Sequence, residues 1–168
     1  MLATNDDWDN LQKDIENDKK TAEVYLLHYT DRLKEYRMRK AGALAKRRND
    51  SGGGGGSMPG APTEQAAVAS ISYDERHDEY YWLKAVEVVQ RVIGERKSIF
   101  LACRREADRR NSHARGQKPW VITTQMLFVE ALGERFFDSG QWVSERTVRR
   151  YWRDIISKVA NIHLRLKK

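Results

Sequence analysis

Four arginines lie within eight residues near the C-terminal end of the chain, at Arg146, Arg149, Arg150 and Arg153. In a helix, the first, second and fourth of them share one side within two turns. The flat guanidinium group binds phosphate oxygens, and its parallel N–H groups match the O6 and N7 acceptors of guanine. This stripe therefore predicts recognition of a nucleic acid.

The residues around the stripe predict that it opens a helix. Ser144 is a favourable N-cap residue, and Glu145 places a negative charge at the positive end of the helix. The opposite side is apolar and carries Val148, Trp152 or Tyr151, Ile155, Val159, Ile162 and Leu166. This spacing is helical and predicts that the arginines face outward.

A preceding helix is predicted to be capped by Thr123 or Thr124, and Asp138, Ser139 and Gly140 mark a turn after it. A helix, a turn and a second helix with arginines in its first turns is typical of a helix-turn-helix, which inserts its second helix into the major groove of DNA. The candidate DNA-binding residues are Ser144, Arg146, Thr147, Arg149, Arg150 and Arg153.

A basic stripe on a helix is in many proteins only a solvated face. Three observations favour DNA here: the stripe starts at the helix N-terminus, a capped helix precedes it across a turn, and acidic residues are scarce on this helix. The basic segment from Arg104 to Lys118, predicted to be a loop, has two interpretations. It is either a solvated loop or a source of non-specific contacts with DNA phosphates.

The charge of the chain is unevenly distributed. Its 168 residues include 31 Lys and Arg against 24 Asp and Glu, giving a net charge of +7. Residues 144–168 hold eight basic and two acidic side chains, whereas residues 1–20 hold three basic and six acidic ones. A basic end on a neutral-to-acidic body predicts a local anionic partner, with nucleic acid first and a membrane surface second.

The sequence predicts a soluble protein of the cytoplasm. No apolar run reaches the ~18 residues of a membrane span, and the N-terminus lacks the apolar core of a secretory signal. We therefore expect no membrane partner.

Catalysis finds little support in the sequence, which has neither a Gly-rich phosphate loop nor a Ser, His and acid set at suggestive spacing. The single cysteine, Cys103, follows an apolar run and predicts a buried, inert thiol. Asp74, Glu75, Asp78 and Glu79 resemble a carboxylate cluster for a metal, but acids at the start of an exposed helix are the plainer interpretation. We expect no enzyme activity, no metal and no cofactor.

The elements that must position the stripe are predicted to be helices. Residues 4–48 fit one long helix or a helical hairpin, whose narrow, tyrosine-rich apolar stripe is expected to cover a partner surface. Residues 71–93 and 95–110 fit two further helices.

The segment SGGGGGSMPGAP (residues 51–62) predicts a flexible linker, because glycine costs backbone entropy and proline lacks a donor. The linker is either native or an artificial junction, with Met58 as the start of a second chain. The predicted fold is all-α: an N-terminal helical arm (1–50), a Gly/Pro linker (51–65), and a helical DNA-binding domain (66–168) that ends in the helix-turn-helix. We expect this domain to fold without the arm.

The run WVSERTVRRYWRDIISKVA (142–160) resembles the last helix of the RinA/ArpU-type phage transcriptional regulators. The matching residues are Val143, Ser144, Arg146, Thr147, Arg149, Arg150, Arg153 and Ile155. The glycine run before SMPGAPTEQAA is similar to the family's linker, and YLLHYTDRLKEY is similar to its tyrosine-rich N-terminal helix. The chain departs from the family in additional material at 107–121 and in a longer turn at 134–143.

The resemblance implies a sequence-specific DNA-binding regulator, an activator of phage or prophage late genes whose DNA-binding end is similar to region four of bacterial sigma factors. The expected partner is double-stranded DNA, and the resemblance adds host RNA polymerase and the cytoplasm of a bacterial host cell. A homo-oligomer formed through the N-terminal helix is a further expectation. Two other functions stay open. They are a small terminase-like DNA-packaging protein and a helical protein-interaction adaptor that works through its long N-terminal helix.

Overall fold

The computed structural model describes residues 5–50, 62–113, 119–136 and 142–168. These residues form seven helices and no strand. The helices are α1 (Asn5–Leu27), α2 (Tyr29–Asp50), α3 (Pro62–Arg76), α4 (Asp78–Val92), α5 (Glu95–His113), α6 (Trp120–Phe136) and α7 (Glu145–Leu166). The predicted all-α class is confirmed for this part of the chain, in which no helix is long and apolar enough to cross a membrane.

Helices α1 and α2 meet at His28 almost without interruption. The His28 N–H donates to the carbonyl oxygen of Val24 at 3.1 Å, and the Arg32 N–H donates to that of His28 at 3.0 Å. Both bonds have the spacing of an α-helix. The segment is therefore a nearly continuous long helix, and the alternative of a hairpin is wrong because no loop reverses the chain.

The helix predicted for residues 71–93 is divided at His77, which has an extended backbone with φ −114° and ψ 111°. The Nδ1 atom of His77 lies 2.6 Å from the carbonyl oxygen of Tyr73. The imidazole ring thus takes the place of the backbone N–H that would bind this carbonyl in a continuous helix. Helix α4 then begins with two acids, Asp78 and Glu79, in its first turn. The apolar periodicity continues across this break, which is why the sequence pattern indicates one helix.

Two predicted boundaries around the basic segment are wrong. Helix α5 continues to His113, three residues beyond its expected end. Helix α6 begins at Trp120, and the Ile122 N–H donates to the carbonyl oxygen of Pro119 at 3.0 Å. Thr124 is buried inside α6 and does not cap it, because Pro119 already sets the start of the helix.

The core is built on the buried face of α7, which packs mainly against α4, α1 and α6. Val148, Ile155 and Val159 are completely buried. Phe100 of α5 and Phe128 of α6 meet edge to face, with ring centroids 5.4 Å apart. Near the C-terminal end of α7, the buried stripe includes His163. Leu166, which was predicted to belong to this stripe, is exposed.

The arm contributes to this same core, contrary to the expectation that its stripe covers a partner surface. Ala22 and Leu26 of α1 are completely buried, and Tyr36 of α2 is almost so. The Tyr36 hydroxyl donates to Asp74 at 2.6 Å, and Lys40 also binds Asp74, which links α2 to α3. The stripe is buried because α1 lies across α4, α5 and α7.

The domain boundaries at residues 50 and 66 stay a prediction. The predicted linker at residues 51–65 overlaps α3, which begins at Pro62. Residues 51–61, including Met58, lie outside the described residues. Since α1 shares its core with α4 and α7, we now expect the C-terminal part to depend on the arm for stability.

Replacing Leu26 by Ala tests this dependence. Leu26 is completely buried, so Leu26→Ala should lower the free energy of unfolding by about 2–5 kcal/mol, because the lost side chain leaves a cavity. Urea denaturation of the full chain measures the loss. Val24→Ala, at a 37% exposed position of the same helix, is the control and should change stability little. Equal, small losses in both variants would show that α1 is dispensable.

Candidate nucleic-acid interface

Helix α7 begins with the cap that its sequence predicts. Ser144 has an extended backbone, and its Oγ accepts a hydrogen bond from the Thr147 N–H at 3.2 Å. The two hydroxyl groups lie 3.1 Å apart. The side chains of these two candidate residues are therefore engaged with each other, and their role in the structure is to start the helix and fix its first turn.

The four candidate arginines, Arg146, Arg149, Arg150 and Arg153, are all exposed on α7. Their positions lie on the side of the helix opposite the completely buried Val148, so the core determines the direction in which they point. Arg149 lies 3.7 Å from Glu145, one turn earlier. An exposed pair of this kind contributes little to stability and leaves the guanidinium group available to another anion.

The four arginines of the outer face all lie in the first half of α7. Beyond Arg153 the same side presents Ser157, Asn161 and Leu164, which carry no charge. Asp154 is one of only two acids on the helix, and it binds Lys97 and Lys158. The hydrogen bond from Lys97 holds the pKa of Asp154 below its usual value, so this carboxylate stays ionised and paired.

A buried glutamine of α6 holds the start of α7. The Gln125 side-chain amide donates to the carbonyl oxygen of Val143, the residue before the N-cap, and both residues are buried. This bond fixes where α7 leaves α6, although residues 137–141, which include the predicted turn, lie outside the described residues. The sequence analysis missed Gln125, because a polar residue in an apolar helix carries no periodic signal.

Trp142 lies just before the start of α7 and is 78% exposed, more than any other large apolar side chain in the described part of the chain. It precedes the buried Val143 by one residue and the cap residue Ser144 by two. A solvent-exposed tryptophan just before the N-terminus of a basic helix is suited to contact a sugar or a base of a nucleic acid. The sequence analysis did not select it.

Arg104 is not available to DNA, which corrects the prediction that residues 104–118 form a loop. It lies in α5 with 4% of its side chain exposed. Its guanidinium carbon is 4.5 Å from the ring centroid of Trp120 and 5.0 Å from that of Trp152. Burial lowers the pKa of Arg104, while the rings and two nearby carboxylates offset the cost of the buried charge.

The following basic residues are also engaged. The Arg105 Nε donates to the carbonyl oxygen of Leu26 at 2.7 Å, and Arg109 and Arg110 both bind Glu106. Residues 114–118 lie outside the described residues. Arg104 and Arg105 therefore support the fold and are not available for the suggested phosphate contacts, whereas Arg109 and Arg110 remain exposed.

The cysteine and the acidic residues singled out in the sequence have structural surroundings in the described ranges. Cys103 is buried, as predicted, and burial raises the pKa of its thiol to about 11, so it is protonated and unreactive at neutral pH. The described residues contain no group of three or more His, Cys, Asp or Glu side chains that could hold a metal. Two acids of the candidate carboxylate cluster bind lysines: Asp74 binds Lys40, and Asp78 binds Lys167.

In comparisons with known protein families, curated proteins and solved structures, nothing matches this chain.

Loss of the hydrogen bond from Gln125 to Val143 should lower the stability of the protein in the absence of DNA. Gln125→Leu leaves the buried Val143 carbonyl without its donor, and we expect a loss of about 1–3 kcal/mol in the free energy of unfolding. Thermal or urea denaturation measures it. Gln65→Leu, on the exposed face of α3, is the matched control and should be neutral. Equal stability of both variants would show that Gln125 does not secure α7.

Proposed function

We propose that this protein is a sequence-specific DNA-binding regulator of transcription, with α6 and α7 acting as a helix-turn-helix. The observation that carries the proposal is the exposed arginine face on the first half of α7. In a helix-turn-helix, the first turns of the second helix reach base edges in the major groove. Arg146, Arg149, Arg150 and Arg153 occupy that part of the helix.

The surroundings of the face support recognition of DNA rather than a solvated surface. A buried, hydrogen-bonded start and a packed inner face hold α7 at a fixed rotation, so its arginines are presented together. The nearest acid on the helix beyond the first turn, Asp154, is neutralised by two lysines. A rigid cationic helix face of this kind binds the phosphate backbone and places guanidinium groups against the bases.

The exposed Trp142 gives the proposed interface a second kind of contact. It lies at the entrance to α7, where the DNA backbone passes in a helix-turn-helix complex. Its ring would pack on a deoxyribose beside the groove that α7 enters. A charged face beside one exposed aromatic ring is typical of nucleic-acid-binding surfaces.

The resemblance to RinA/ArpU-type regulators gives the proposed DNA binding its cellular role. It suggests activation of phage or prophage late genes and a contact with host RNA polymerase. This role goes beyond the chemistry of the arginine face, and a transcription assay on the selected site, with host polymerase present and absent, tests it separately.

Selection from random DNA duplexes identifies the preferred binding sequence and tests the proposal. The full chain is mixed with a library of random DNA duplexes, and bound duplexes are recovered and sequenced over several rounds. The proposal predicts enrichment of one motif, and genome-wide mapping of bound DNA in the host should then give peaks at that motif. Failure to enrich any motif, together with no measurable affinity for duplex DNA, would exclude the proposed function and favour the interaction adaptor.

The arginines of α7 should differ in effect according to their position. On the selected duplex, Arg149→Ala should weaken binding by about 1–3 kcal/mol and relax the preference at one base position. Fluorescence anisotropy with the selected and a scrambled duplex measures both effects. The matched control is Arg165→Ala, at the exposed far end of the same helix, which should weaken both duplexes slightly and equally. A folded Arg149→Ala variant with unchanged affinity and preference would mean that α7 is not the reading helix.

The affinity for DNA should fall steeply with salt. Each phosphate neutralised by Lys or Arg contributes roughly −0.9 to the slope of log K against log salt concentration. With four arginines on the face, we expect a slope of about −2 to −4 for the full chain. Titrations across a range of NaCl concentrations measure it. A slope near zero would contradict binding through these arginines.

A further inference from the structure

Trp142 is the most exposed tryptophan of the described residues. The rings of Trp82, Trp120 and Trp152 pack against another aromatic ring or a guanidinium group. Trp142 is 78% exposed, and Trp8 on α1 is 60% exposed. Tryptophan is one of the residues most enriched at binding surfaces, because its large apolar ring gains when a partner covers it. Trp142 is therefore a candidate contact with another molecule.

The backbone that follows Trp142 is held in place. Val143 is buried, and its carbonyl oxygen accepts the hydrogen bond from Gln125. Ser144 has an extended backbone and caps α7 through the Thr147 N–H. Burial thus alternates along residues 142–144, which are exposed, buried and exposed. Because the side chain of Val143 points into the core, those of its two neighbours point away from it.

Trp142 is also close in the chain to the arginine face. Arg146 follows it by four residues, and both side chains point away from the core. Four residues of chain span at most about 14 Å, and successive base pairs of DNA are about 3.4 Å apart. If α7 lies in the major groove, we expect Trp142 to lie within about four base pairs of the position that Arg146 contacts.

The chemistry of the major groove limits what an apolar ring can gain there. Guanine, adenine and cytosine present only hydrogen-bonding groups on this edge, whereas thymine also presents its C5-methyl group. Covering a donor or an acceptor with an apolar ring costs free energy, because the covered group loses its water. Sugars beside the groove are apolar in part, but they occur at every position and carry no sequence information. The methyl group of thymine is thus the feature that an indole can select.

We propose that Trp142 selects a thymine at the edge of the DNA site by packing its ring against the C5-methyl group. The inference rests on the proposed function, because it requires α7 to lie in the major groove. It makes Trp142 a specificity-determining residue outside the reading helix. The arginines of α7 recognise hydrogen-bonding edges, and Trp142 adds an apolar contact that they cannot make.

Replacing thymine by deoxyuridine tests this contact, because deoxyuridine lacks only the methyl group and pairs with adenine in the same way. In the duplex selected from the random library, each thymine is replaced in turn, and fluorescence anisotropy measures the affinity of the full chain. We expect one replacement to weaken binding about fourfold, the value for one buried methyl group. This thymine should lie within about four base pairs of the position at which Arg146→Ala relaxes the base preference.

Trp142→Ala should bind the thymine and deoxyuridine duplexes equally, because the ring that covers the methyl group is gone. Trp142 is exposed, so this variant should keep the thermal stability of the unchanged chain. Trp8→Ala is the matched control and should keep the fourfold loss. Trp8 is also an exposed tryptophan, but it lies in a segment, residues 5–20, with six acidic and three basic side chains, which DNA phosphates repel.

A second comparison adds the methyl group instead of removing it. At the same position, a duplex with 5-methylcytosine should bind the unchanged chain about fourfold more tightly than one with cytosine, and Trp142→Ala should not distinguish the two.

Three results would overturn the inference and leave the proposed function intact. They are a selected motif without thymine in the expected interval, a thymine scan without effect, and a loss that persists in Trp142→Ala. Absence of affinity for any duplex would instead overturn the proposed function and this inference with it, so the two failures are distinguishable.

Discussion

Trp152 lies where α1, α5, α6 and α7 meet, and the position of the candidate interface depends on its surroundings. Its indole N–H donates to Glu23 of α1 at 3.0 Å, and the buried guanidinium group of Arg104 lies over its ring. Arg104 also lies over Trp120 of α6 and 3.6 Å from Glu23. A buried cation is tolerated only when it is surrounded by groups of this kind, so the four helices are held in one arrangement by the need to accommodate it.

A second group of contacts fixes the far end of α7. The ring of His163 stacks on the indole of Trp82 of α4 with centroids 3.6 Å apart, and the ring of Tyr25 of α1 stacks on the same indole with centroids 5.8 Å apart. Asp78 binds both His163 and Lys167. Partial burial acts to raise the pKa of Asp78, but the hydrogen bonds from Lys167 and His163 outweigh it and the pKa is lowered. This contact therefore stabilises the fold above the ordinary carboxyl pKa and is lost at lower pH.

These two groups of contacts constrain both halves of α7. The inner face of the helix is packed into the core, and the four arginines are left in solvent. The arm takes part in both groups of contacts through Glu23 and Tyr25. The helix that carries the exposed arginines and the N-terminal helix therefore share one core.

Several features follow from local patterns. The helical class, the cap at Ser144, the outward arginines and the buried Cys103 could all be predicted, because each depends on neighbouring residues or on helical spacing. Other features could not. The break at His77 depends on one side chain reaching a carbonyl, and the burial of Arg104 depends on two tryptophans that come from other helices.

The sequence by itself determined that this chain is helical, that α7 has an apolar side and a basic side, and that its charge is concentrated at one end. Periodicity and composition carry that information because they arise within one helix. Only the tertiary structure decided that half of the α1 stripe is core and half is exposed, and that Gln125 secures the start of α7. Such outcomes depend on which helices lie side by side, and no spacing within a single helix contains that choice.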